Sequence, residues 1–340
     1  MHLLLTPWSS AYTDPFQELV NLFTFTPAPA SATTPQRHGA GGAFQRAQLH
    51  TEGGVLAYKL FIPSSWNGAP LPLLLMLHGC GQDADDFARG TGMNALADAL
   101  SCIVVYPEQS SSANSARCWN WYDDAHHHRD CGEPAMLAAL TRQVMEEYKV
   151  EPGKVFVAGL SAGGAMAVVL GRTYPELYSA VGCHSGLAYA CATDMAAAIG
   201  AMRDGPSAHC SAFGHANAHL GAAAHVPVIV FHGDQDNTVH PRNGAHIVEQ
   251  SLAQCALKAA GVDGNMAAIA LQAERGETTG RRYTRQVYQD AAGAVLAEQW
   301  LVHGAGHAWS GGSRSGSYTD ASGPSASAEM LRFFLALGAR

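Results

Sequence analysis

Short, wholly apolar runs recur along the chain with helix-period segments between them, and this recurrence constrains the fold more than any other feature. LPLLLMLHG (71–79), KVFVAG (154–159), AVGCHSG (180–186) and VPVIVFHGD (226–234) hold few polar residues inside the run. A strand with one face in water alternates polar and apolar residues, whereas a strand buried on both faces does not. Between the runs, ADDFARGTGMNALADAL (84–100) and GEPAMLAALTRQVMEEYKV (132–150) place apolar residues at intervals of three and four, the period of a helix. CIVVYP (102–107) adds a further strand. Strand–helix–strand alternation of this kind predicts the α/β class, a mostly parallel sheet with helices on both faces. Ligands of such sheets bind off the carboxyl ends of the strands. The ends of LLLMLHG, VFVAG and VIVFHGD are therefore expected at one rim.

The remaining organisation is simpler. AQLHTEGGVLAYKLFIP predicts an antiparallel hairpin around Glu52–Gly53–Gly54. RYTRQVYQ and LAEQWLV read as late strands, and SASAEMLRFFLAL as a C-terminal helix. Residues 1–43 read as an N-terminal extension: DPFQELVNLFTF could form a short helix, and TPAPASATTPQRHGAGG is a Pro/Ala/Gly linker. Residues 44–340 then form one α/β domain, a size that α/β proteins reach as a single unit.

Composition excludes some classes. A net charge of −8 disfavours a nucleic-acid partner, which is usually met by a basic face. No phosphate-binding glycine loop follows a strand, and no apolar run approaches the length of a membrane span. No Lys or Arg precedes Arg37, so no secretory signal is legible, yet eight cysteines suit an oxidising compartment.

Chemistry concentrates where VFV runs into Gly159-Leu160-Ser161-Ala162-Gly163, a G-x-S-x-G turn. The glycines leave room for a sharp strand-to-helix turn, with Ser161 in a strained backbone conformation. AMAVVLGRTYP then starts a helix, whose dipole favours negative charge near the hydroxyl. A serine hydroxyl needs a base oriented by an acid, and for this turn the chain order is Ser, Asp or Glu, His. Asp236 in FHGDQDNTVHP is favoured as the acid because the first turn after the strand returns it to the rim; Asp234 is its rival, with a turn-capping role as the alternative. Among 17 histidines, His307 in HGAGHAWSGG lies in a glycine-rich loop able to reach back over the sheet. His303 directly follows the last strand, and His240 is more suited to capping or solvent.

Developing negative charge on a substrate oxygen needs donors as well. HGCG (78–81) follows LLLML at the position of the second donor, so the backbone N–H groups of Cys80 and Ala162 are the expected oxyanion hole. A plain tight turn is the alternative for HGCG. In CWNWYDDAHHHRDC (118–131), Trp119 and Trp121 could line an apolar substrate crevice or pack in the core. The spacing there matches no familiar zinc pattern, and a disulfide-anchored loop with an exposed histidine tip is the preferred reading. The Ala- and His-rich stretch from Gly186 to His225 reads as part of a cap.

Taken together, LHGCGQDADDFARGTGMN, YPEQ, CWNW, AGLSAGGAMA, HGDQDNTV and HGAGHAWSGG, in that order, resemble the poly(3-hydroxybutyrate) depolymerase family of esterases, within the α/β-hydrolase superfamily. The resemblance runs from about residue 44 to 337. It implies a nucleophile at Ser161, an acid at Asp236, a base at His307 and an oxyanion contact from Cys80. Members are commonly secreted and disulfide-bonded. The implied substrate is a hydroxyalkanoate ester, with no cofactor or metal. No polymer-binding domain is legible after the C-terminal helix, so soluble oligomers or short-acyl esters are expected rather than crystalline polymer. Related esterases act on feruloyl or acetyl groups of plant polysaccharide, and these remain the alternative. A peptidase using the same residues, or a non-catalytic binding protein of the same fold, are further rivals.

Overall fold

The computed structural model describes residues 42–51, 54–206, 210, 225–263 and 269–337. The extension over 1–41, with its expected short helix and most of its linker, lies outside the described residues, as do 207–209 and 211–224 of the expected cap.

The apolar runs form the middle of a ten-stranded sheet. Its parallel centre comprises β3 (Leu73–Leu77), β4 (Ile103–Glu108), β5 (Val155–Leu160), β6 (Ala180–His184), β7 (Val228–Gly233) and β10 (Val295–Val302). At one edge the antiparallel hairpin β1 (Ala43–Thr51) and β2 (Gly54–Ile62) adds to β4; at the other, β9 (Arg281–Gln289) and β8 (Ala270–Thr278) add to β10. The sheet is therefore mixed, and the whole is an α/β-hydrolase fold. Strand β8 was not foreseen: ALQAERGET is polar and exposed almost throughout, and among the described residues it pairs only with β9. An edge strand facing water carries no apolar signal to read.

Each central strand is buried on both faces and sends alternate side chains to two cores. Leu73, Leu75 and Leu77 of β3 enter one core, against α3 (Gly132–Glu147), α4 (Ala162–Thr173) and α6 (Arg242–Asp263). Leu74 and Met76 enter the other, against α1 (Ala84–Thr91), α2 (Met93–Ala99) and α7 (Ala326–Leu337). A further helix, α5 (Met195–Asp204), joins the first core. The expected single helix over 84–100 is two. Gly92 adopts φ 62°, ψ 15° and its N–H bonds to Ala88 O, a left-handed stop after which α2 starts in a new direction.

Candidate active site

Strands β5, β7 and β10 run parallel, so the residues that follow them meet at one rim. Ser161 follows β5 with φ 56° and ψ −120°, a conformation L-residues seldom adopt, and its own N–H donates to His184 O at 2.9 Å. The turn is enforced from both sides. A Cβ on Gly163 would lie 2.1 Å from Leu77 O, and one on Gly159 would lie 2.4 Å from the Gly163 carbonyl carbon. Only glycines let α4 start this close to β3.

The expected acid and base meet. His307 Nδ1 lies 2.7 Å from Asp236 Oδ2. The other carboxylate oxygen, Oδ1, accepts from Thr238 N and Val239 N at 2.9 and 2.8 Å. Burial disfavours the charge on Asp236, but hydrogen bonds from His232 and His307, and their charges, outweigh it and hold the carboxyl well below the usual carboxylate range.

The rival residues pair with each other instead. His303 Nδ1 lies 2.8 Å from Asp234 Oδ2, its Nε2 lies 2.9 Å from Thr284 Oγ1, and Asp234 Oδ1 accepts from Gly304 N. Both ring nitrogens of His303 are thus engaged within the protein. His307 has a bond only at Nδ1 among the described residues, so its Nε2 is not committed there. His240 Nδ1 accepts from Arg242 N at the start of α6, a capping contact.

No hydrogen bond joins Ser161 Oγ to His307 among the described residues; His184 connects their loops instead. His184, at the end of β6, accepts Ser161 N–H through its carbonyl and Ser310 N–H through its Nε2, at 2.9 and 3.0 Å. Its ring stacks on Trp309 and Phe231, and burial pushes its pKa down to about 3. His184 was missed because nothing distinguishes it locally from a buried strand residue.

Cys80 and Ala162 line the same crevice as Ser161, together with Trp121, Tyr122 and Val239; its volume, open mouth included, is about 310 Å³. Neither the Cys80 nor the Ala162 N–H is used in a hydrogen bond among the described residues. The HGCG turn is braced from behind. His78 Nδ1–H donates to Gly79 O and its Nε2 accepts from Gln109 N, at 2.7 and 3.0 Å. Burial lowers the His78 pKa to about 4, so the ring stays neutral and this tautomer persists. Gln109 in turn donates to the buried Glu133, which also accepts from Asn120 N and Nδ2. The YPEQ and CWNW segments are thereby bound to one carboxylate.

A disulfide joins Cys80 to Cys118, with Cα atoms 4.2 Å apart. The loop is thus anchored by a disulfide at its first cysteine, whose partner lies in the HGCG turn, and Cys131 is an exposed free thiol. The histidine tip also differs. His127 is buried and bonds Trp121 O, His126 bonds Asn120 O, and only His128 is exposed. His127 and His128 both approach Asp124, and His126 approaches Glu133; among the described residues no group of three His, Cys, Asp or Glu side chains is placed to hold a metal. Trp119 stands apart from the crevice. It is fully buried and packs against His78, so it belongs to the core, whereas Trp121 lines the crevice. No described helix is long and apolar enough to cross a membrane.

The family model described as esterase PHB depolymerase matches residues 56–274. Poly(3-hydroxyalkanoate) depolymerase C of Paucimonas lemoignei is 31% identical over 266 residues, 77% of this chain and 61% of that protein. The chain thus spans about three fifths of that relative's length. Feruloyl esterase B of Neurospora crassa is 28% identical over 247 residues, 69% of this chain and 77% of that protein. Among solved structures, an acetyl xylan esterase from Aspergillus awamori superposes with a TM-score of 0.60 at 20% identity, covering 78% of this chain and 94% of the other, a likeness of fold.

Proposed function

The chain belongs to the PHB depolymerase esterase family, and from that premise we propose that it is a serine carboxylesterase cleaving short 3-hydroxyalkanoate esters. Residues 44–340 are its catalytic unit. Ser161 Oγ attacks the ester carbonyl carbon while His307 Nε2 takes the hydroxyl proton. Asp236 holds the Nδ1–H tautomer and stabilises the imidazolium that forms. The N–H groups of Ala162 and Cys80 receive the oxyanion, each worth on the order of 10²–10³ in turnover. The imidazolium then protonates the leaving alcohol, and water activated by His307 releases the acyl group from Ser161. Every step uses protein groups and water. The observation that carries this reading is the His307–Asp236 pair on the rim where Ser161 starts a helix, with Nε2 uncommitted.

A narrow crevice walled by Val239, Leu187 and Trp121 favours a short branched acyl group. A second reading, feruloyl or acetyl esters of plant polysaccharide, is favoured by the aromatic wall of Trp121 and Tyr122 and by the 77% coverage of the Neurospora feruloyl esterase. Two experiments test these readings. A fluorophosphonate should label the wild type and not Ser161→Ala; labelling of the variant would end the serine-esterase reading. Turnover of 3-hydroxybutyrate oligomers, methyl ferulate and acetylated xylan should rank in that order, and a preference for ferulate would replace the first substrate with the second.

A further inference from the structure

We propose that Cys191 and Cys210 are a site of oxidation to a second disulfide, which closes the chain around α5 and fixes the wall this helix gives to the crevice. The two residues bracket α5 (Met195–Asp204), one shortly before its start and one shortly after its end. Both are buried thiols, and the Cys210 side chain hydrogen-bonds the Cys191 thiol. Burial alone pushes the Cys102 thiol up to about 12, whereas Cys191 is raised first by its bond to Cys210 and then by burial. Cys210 Sγ also lies 3.6 Å from His246 Nδ1 on α6, which sets an imidazole nitrogen beside the pair for a thiol proton to pass to. Two cysteines and a histidine are part of a zinc set, but among the described residues no group of three such side chains is placed to hold a metal.

Sulfurs that share a hydrogen bond need approach by only about 1–2 Å to reach bonding distance. A small-molecule disulfide such as glutathione disulfide supplies the oxidant. The Cys210 thiolate attacks one of its sulfurs and expels one glutathione thiolate; the Cys191 thiolate then attacks the Cys210 sulfur and expels the second. The protein sulfurs lose two electrons, the oxidant gains them, and the two protons leave on two glutathione thiols. The exchange takes place while α5 is open, since the packed pair is buried. Conditions that keep the Cys80–Cys118 bridge also favour this one.

The consequence falls on the crevice. Ala198 and Met202 of α5 line it beside Ser161. The same helix is tied to the turn that carries the acid: Met202 O accepts from His240 N at 2.7 Å, and Ala201 O accepts from Asn243 Nδ2 at 2.8 Å. Ahead of Cys191, the Gln250 side chain bonds Tyr189 N and O at 3.1 and 2.9 Å. A bridge from Cys191 to Cys210 adds a covalent closure to these ties, with the crevice wall inside the closed loop. The wall's part in choosing the acyl group rests on the esterase reading above; the bond itself does not.

The full chain is incubated with glutathione disulfide at a urea concentration just below its unfolding transition. It is then acid-quenched, unfolded, alkylated without reductant, digested and mapped by mass spectrometry. A peptide pair joined through Cys191 and Cys210 is expected; alkylation of both, or a bond from either to another cysteine, overturns the proposal. Cys191→Ala/Cys210→Ala should melt about 5–10 °C below the oxidised wild type. Each single variant should fall as far as the double, because either one removes the bond; additive falls would mean two packed thiols and overturn it. The double variant should also raise the octanoate-to-butyrate ratio of kcat/KM about threefold, and an unchanged ratio overturns the clamp on the wall. A wild type that hydrolyses neither ester ends the esterase reading instead, and the peptide map still decides the bond. Should the variants fail to fold, the wild-type map decides alone.

Discussion

His232 Nε2 lies 3.4 Å from Asp236 Oδ2, the same carboxylate oxygen that His307 contacts at 2.7 Å. Its other neighbour is Val239 O at 2.8 Å. Both partners are acceptors, so the proton of His232 sits on Nε2 and the ring donates to the turn that carries the acid. HGDQD thus contains the acid and its own support: the strand residue His232 is wholly buried, and with the Thr238 and Val239 N–H groups it holds the carboxylate that His307 also contacts.

The two neighbouring Asp–His pairs are expected to differ in consequence. Asp236→Asn should lower kcat on p-nitrophenyl butyrate by about 10⁴, by favouring the wrong tautomer of His307. Asp234→Asn, which loosens His303 and the Gly304 turn, should stay within about tenfold, or 1.4 kcal/mol. The reverse order in steady-state kinetics would transfer the acid's role to Asp234.

Stability should fall as the solution is acidified, in two windows. His78 and His184 have folded pKa values of about 4 and about 3 against 6.5 when unfolded. The unfolded chain therefore binds more protons below pH 6.5, and stability present above that value is lost as pH falls towards 4. Each histidine contributes about 1.4 kcal/mol per pH unit there, about 2.7 for the pair. Asp236, depressed from 3.8, adds a further loss below that value. Urea unfolding at pH 7, 6, 5 and 4.5 should show the first window. His184→Gln, which can still accept from Ser310 N, should remove about half of that slope.

Removing the Cys80–Cys118 bridge should affect both folding and rate. A crosslink spanning 38 residues lowers the entropy of the unfolded chain by an amount worth about 4 kcal/mol. It also fixes Cys80, which lines the crevice with Ser161. The double variant Cys80→Ser/Cys118→Ser should melt at a lower temperature and lose kcat more than it raises KM. Unchanged turnover at a temperature where the variant is folded would remove Cys80 from the oxyanion hole.

The two indoles of CWNW should separate by assay. Trp119→Ala should cost about 3–5 kcal/mol of stability by denaturant titration, as for other large core truncations. Trp121→Ala should change the ratio of kcat/KM between butyrate and octanoate esters by about tenfold in favour of the longer acyl chain. No change in that ratio would place Trp121 outside the acyl pocket.

Much of this molecule is local and was legible from residue order. Unbroken apolar runs mark doubly covered strands, three- and four-residue spacing marks the helices, and the glycines around Ser161 mark a turn that only they permit. The rim shared by Ser161, Asp236 and His307 follows from parallel connectivity. Partnership across the chain is a different matter. His303 and His307 both follow β10 and Asp234 and Asp236 both follow β7; residue order favours Asp236 and His307 as acid and base, but it does not say that Asp234 and His303 bond each other. Loop trajectory decides that, as it decides that Cys118 bonds Cys80 rather than Cys131. His184, His232 and the His78–Gln109–Glu133 brace were invisible for the same reason. Periodicity records which face of an element is buried; a hydrogen-bond partner tens of residues away is set only when the packed sheet brings two loops within 3 Å.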